Sequence, residues 1–160
     1  MPSVPQPQLL RHAVAALAYR AGKALRGAPE SFAAFEAGQN VKSPVRILAH
    51  MGDLFDWALA MSQGRREWHD STPLVWEREI ERFFGRLKAF DDYLASDAVV
   101  QVSAEKLLRA PVADALTHTG QIAMLRRLAG CPIRGESYYE ADIVTGRVGF
   151  EQAAPKREFD

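Results

Sequence analysis

The chain holds one cysteine, Cys131, among 160 residues, which excludes an intramolecular disulfide and fits a reducing compartment. No sign of charge prevails. Lys+Arg and Asp+Glu number 20 each, so nothing in the balance points to a nucleic acid or an anionic membrane surface as partner, and a near-neutral chain tends toward self-association. Long hydrophobic runs are missing: stretches such as AVAALAY fall far short of a bilayer's width. The start, MPSVPQPQ, lacks the basic-then-apolar order of a secretory leader, so a cytoplasmic protein is expected. There is no internal repeat, glycine-rich phosphate cradle or nucleophile elbow.

What the chain has is helical periodicity. Four segments carry apolar residues in steps of three and four. Leu10, Val14, Leu17, Ala21 and Ala24 line the first; Ile47, His50, Leu54, Trp57 and Met61 the second. Trp76, Ile80, Phe83, Leu87, Phe90 and Leu94 form the third and cleanest stripe. Asp114, His118, Gln121, Leu125 and Leu128 form the fourth. Stripes of this kind meet in the seam of an all-α four-helix bundle. Ser43-Pro44 and Thr72-Pro73 read as helix starts, Pro111 as part of a first turn, and Gly64 and Gly130 as stops. Short helical pieces are expected at ESFAAFEAG and SAEKLLR. Past Gly130 the period vanishes, yet Ile133, Tyr138, Tyr139, Ile143, Val144, Val148 and Phe150 are too apolar for a disordered tail. One domain over 1–160 is expected, with a bundle over about 6–130 and an irregular C-terminal extension, 131–160, wrapped over it.

Three residues break the apolar stripes: His50, Asp114 and His118. Asp114 and His118 lie four apart, on one helix face. Singly, each has a bland explanation: a hydrogen-bonded core histidine, or a carboxylate at the positive end of a helix dipole. Together, two imidazoles and a carboxylate in a seam need partners, and a divalent cation supplies one to each while leaving a coordination position open. A metal-free His–Asp–His hydrogen-bond network is the alternative. Gln121, one turn past His118, reads as an orienting residue or a bundle contact. Trp57, Met61 and Gln121 are the candidate walls of a small-molecule pocket; Trp57 and Trp76 also read as core. His12 and His69 read as surface residues, Arg126 and Arg127 as surface groups or helix-dipole partners, and Cys131 as structural.

ILAHMGDLFDWAL, followed by DALTHTGQIAMLRRLAG, resembles the DinB-like (DinB/YfiT-like metalloenzyme) superfamily over roughly residues 6–130. The resemblance implies a four-helix bundle in up-down-down-up order, often a homodimer, with three histidines on a divalent metal, usually zinc or nickel. His50 matches the first and His118 the third; Asp114 stands where the second histidine is typical. The resulting set of two histidines and one carboxylate also suits iron or manganese. Related members use a low-molecular-weight thiol as transferases or isomerases. The expectation is a metal-dependent thiol S-transferase or hydrolase acting on a small molecule; a non-catalytic metal- or ligand-binding, stress-associated protein is the rival, and a ferrous oxygenase a second enzymatic one.

Overall fold

The structure is a computed structural model that describes residues 6–160; the leader reading of MPSVP lies outside the described residues. The chain is mostly helical. Helix α1 spans Gln6–Leu25, α2 Pro44–Ser62, α3 Trp76–Ala95, α4 Ala104–Leu107 and α5 Ala113–Leu128. Among the long helices, α2 packs along α3 and α1 along α5, with further contacts between α1 and α3 and between α2 and α5. No described helix is long and apolar enough to cross a membrane.

The first and third stripes are where periodicity puts them. Leu10, Val14, Leu17, Ala21 and Ala24 are buried, as are Trp76, Phe83, Leu87, Phe90 and Leu94, with Ile80 half-buried. Phe55 of α2 meets Phe83 and Phe90 at ring-centroid distances of 6.0 and 5.7 Å. Fully burying one such ring is worth about 1.5–3 kcal/mol. Pro44 opens α2 after an extended Ser43, and Gly64 and Gly130 follow their helices at φ +79° and +76°, a left-handed turn that favours glycine. A 3-10 turn at Glu30–Ala34 buries Phe32 against Trp76.

The third helix starts later than Thr72-Pro73 suggests. Its first residue is Trp76, because the preceding segment is held extended. The Ser71 backbone N–H and hydroxyl both donate to Asp53, at 3.0 and 2.6 Å, and the Leu74 N–H donates to Glu79 at 2.8 Å. Arg82 completes the network by donating to Glu79, Asp53 and the Ala49 carbonyl. Its guanidinium lies over Gly52, where a Cβ would come within 2.8 Å of it.

Pro111 does not open the last helix. Winding begins at Ala104, with the Ser103 hydroxyl accepting from the Lys106 N–H, and passes through a π turn, Leu108–Val112, into α5. Proline lacks the N–H that an α-turn requires, and a wide turn is one way to pass it. The fourth stripe is also displaced. The buried face of α5 is Ala115, Thr119, Ile122, Leu125 and Arg126, whereas Gln121 and Leu128 are exposed, Leu128 by 61%.

Residues past Gly130 wrap the surface. Strands β1 (Gly135–Glu136) and β2 (Glu158–Phe159) pair antiparallel. Lys23 of α1 clamps both, donating to Glu136 at 3.1 Å and Glu158 at 2.8 Å. Val148 is buried, Phe150 lies on Phe84 and Tyr138 on Tyr19, while Tyr139 is 98% exposed and contributes nothing to the cover. Arg126 is no surface group. It is buried and donates to the carbonyls of Cys131, Ala24 and Arg26, tying the ends of α5 and α1 together.

Candidate metal centre

His50 projects from the middle of α2, and Asp114 and His118 from the first two turns of α5, so the packing of these two helices brings the three together. One ligand atom from each lies within 4.8 Å of the others. Asp114 Oδ2 is 3.4 Å from His50 Nε2 and 3.5 Å from His118 Nε2. The two imidazoles stand edge to face, centroids 4.8 Å apart and planes at 87°. These spacings are long for an N–H···O hydrogen bond, whose usual range is about 2.7–3.2 Å. The two Asp114 spacings match the edge of a coordination tetrahedron, since ligands at about 2.0–2.1 Å from zinc are about 3.3–3.4 Å apart, and the two imidazole nitrogens lie within 4.8 Å of each other. The donor set therefore fits a divalent ion, and this group could hold one.

Gln121 acts on the set through His118. Its Oε1 accepts from His118 Nδ1–H at 2.8 Å, so the imidazole keeps its Nε2 lone pair toward Asp114. This contact is the one an orienting residue would make, the first of the two roles its spacing allows.

The site is not sealed in a seam. Side-chain exposure is 46% for Asp114, 24% for His50 and 16% for His118. The premise of a buried carboxylate in need of a partner is therefore corrected: the ligands sit at the rim of the α2–α5 contact, because the faces buried deepest are one residue round the helix, at Met51 and Phe55 on α2 and Ala115 and Thr119 on α5. Three cavities abut the triad, each walled by one of its members. Asp114 lines one with Leu54, Trp57 and Arg109; His118 lines the largest, with Ile47, Gln121 and Leu128; His50 lines the third, with Arg46, Asp53 and Asp70.

The three expected pocket walls do not share a cavity. Trp57 lines a cavity with Asp114 and a second one with Met61, Gln101 and Lys106 that no triad member lines, while Gln121 lines a third with His118. Met61 is eleven residues past His50, roughly 16 Å along the axis. Trp76 is core, His12 is exposed and bonded to Thr145, His69 is exposed in its loop, and Cys131 is a free thiol packed against the core.

Periodicity missed Trp68, which lies in an irregular segment. Its ring meets His50 and Trp57 edge-on at 5.6 and 5.8 Å, and its Nε1–H donates to Asp70. The only local signal is the tryptophan itself in GRREWHDSTP. Periodicity also missed the Asp53–Arg82–Glu79 network that pins this segment beside His50.

No family profile, curated protein or solved structure matches this chain.

Proposed function

We propose that the chain is a metal-dependent enzyme of the DinB/YfiT-like kind, a thiol S-transferase or hydrolase acting on a small molecule. In this reading the long helices form the up-down-down-up bundle, the chain works as a cytoplasmic homodimer, and zinc or nickel is the resident ion. One observation carries it: the carboxylate of Asp114 faces two imidazole Nε2 atoms at spacings too long for good hydrogen bonds and right for ligands of one ion.

His50, Asp114 and His118 would hold the ion, and its chemistry there would be to lower the pKa of a water or thiol so that a nucleophile is available at neutral pH. The rest falls to the chain's own residues. Gln121 fixes which nitrogen of His118 carries the proton. Trp68 packs edge-on against His50, with Trp57 against its other side, and so walls the His50 flank of the set. The exposure of Asp114 leaves an approach for substrate, which a purely structural site has no need of.

The test is turnover by zinc- or nickel-loaded protein of a panel of electrophiles with low-molecular-weight thiols, and of activated esters. Metal-dependent turnover, lost in a folded His50→Ala variant, is expected. Absence of any metal-dependent turnover, with metal content unchanged by chelation, overturns the reading in favour of the metal-free network.

A further inference from the structure

Each of the three cavities described at the triad also holds a cation. Arg109 shares a cavity with Asp114, Lys42 with His118, and Lys42 and Arg46 with His50. None of these three forms a salt bridge among the described residues. Lys42 and Arg46 also flank the first turn of α2, the positive end of a 19-residue helix dipole. Of the acidic groups nearby, Asp53 is paired with Arg82 and bonded to Ser71, while Asp70 accepts only from the neutral Trp68 indole and keeps its charge. The unpaired cations Lys42, Arg46 and Arg109 thus outnumber the carboxylates of Asp70 and Asp114 around the ligand set, and a divalent ion would add to the excess. Such a field favours an anion.

The His118 cavity says what kind. At about 600 Å³ it is in the range of small-molecule sites. Ile47, Leu125, Met124, Leu128 and Val41 make it apolar, and its polar lining is Asn40, Lys42, Gln121 and His118 of the triad itself. Val41, Met124 and Leu128 are exposed apolar surface there, as expected of a wall that an apolar ligand covers.

We propose that the substrate is a small amphipathic carboxylate, its apolar body on Ile47, Met124 and Leu128 and its carboxylate against Lys42, at the His118 edge of the triad. This names the substrate class of the reading given above and rests on it for the reacting end only; the recognition elements are Lys42 and the apolar wall.

Octanoate and the isosteric, uncharged octanamide are the probes, titrated calorimetrically into nickel-loaded and chelator-treated protein, with nickel affinity measured separately. Octanoate is expected to bind at least roughly tenfold more tightly than octanamide, the size of one charge-assisted hydrogen bond at a half-open site. Lys42→Met should remove that preference and leave octanamide unchanged. Leu128→Gln, at an exposed position, should weaken both probes alike. Equal binding of the two probes, no binding of octanoate, or a Lys42→Met variant that keeps the preference overturns the proposal. Nickel binding without octanoate binding sinks the proposal and leaves the metal reading standing; Lys42-dependent octanoate binding without nickel binding does the reverse.

Discussion

Gln121 holds His118 by a single 2.8 Å hydrogen bond from Nδ1–H to Oε1, and that bond decides which imidazole nitrogen faces Asp114. A metal-bound histidine depends on such a partner for tautomer and orientation. Gln121→Ala should therefore weaken zinc binding about tenfold or more, as loss of an orienting partner does elsewhere. Gln121→Glu, which keeps an acceptor, should retain most of the affinity. Competition with a chromophoric chelator reads both. Equal affinity in Gln121→Ala and wild type would show that the bond orients nothing.

Asp114→Ala and His118→Ala should each abolish stoichiometric metal binding, since two remaining ligands hold a divalent ion poorly. Because Asp114 is nearly half exposed, the loss should barely affect the metal-free fold: exposed pairs contribute about 0–1 kcal/mol. Metal should raise the melting temperature of the wild type by mass action on the folded state and leave Asp114→Ala unmoved. Scanning calorimetry with and without nickel tests this, and an equal shift in both proteins would place the ion elsewhere.

Arg82 joins the buried carboxylates of Asp53 and Glu79, so Arg82→Met strands two charges. Breaking a buried pair from one side costs about 3–5 kcal/mol. Gly52→Ala should act on the same group, because the added methyl meets a pinned guanidinium rather than a free chain end. Gly85, in α3 with nothing near its missing Cβ, is the opposite case: Gly85→Ala should stabilise by about 0.5–1 kcal/mol. Denaturant midpoints order the three, and a destabilised Gly85→Ala would contradict the open space beside it.

The clamp on the C-terminal wrap predicts pH limits at both ends. Its bond with Lys23 holds the Glu158 carboxyl below the usual range, so this stabilisation is full above about pH 4.3, the unfolded value, and is lost as pH falls through the lower folded value. Burial pulls Lys23 down, but Glu158 and Glu136 outweigh it and its pKa is raised; its contribution is full below about pH 10.4 and is lost as pH rises through the folded value. Burial, and then the nearby Glu136 carboxylate, raise Tyr19 as well, so ionising it also opposes folding at alkaline pH. Amide protection across residues 131–160, corrected for intrinsic exchange and taken relative to the helices, should be greatest near neutrality and fall at both extremes. Parallel profiles for wrap and helices would show that the clamp does not govern it.

Sequence legibility divides along physical lines. The α1 and α3 stripes are amphipathic in a straight α-helix, where spacing alone gives the buried face. His50, Asp114 and His118 are legible as a set because polar residues stand out among apolar ones at helical spacing. Their degree of burial is not, because α2 is packed on several sides and one residue's rotation, about 100°, separates its core from its rim. The late start of α3 and the seating of Trp68 rest on Asp53, 18 residues from Ser71 and 29 from Arg82, and no local pattern reports a pairing of that range.

The π turn at Pro111 sets the phase of the helix that bears two of the three ligands. From Leu107 the buried residues run in strides of four, to Pro111, Ala115 and Thr119. In an unbroken α-helix each such stride gains about 40°, and three would carry the line a third of the way round. The wide turn offsets part of that excess, over the first stride. Asp114 and His118 accordingly present at the rim by an angle fixed six and ten residues upstream, at Leu108. Their meeting with His50 is a property of helical phase: a one-residue insertion or deletion in the Leu108–Val112 segment would turn both by about 100° about the α5 axis and part them from it.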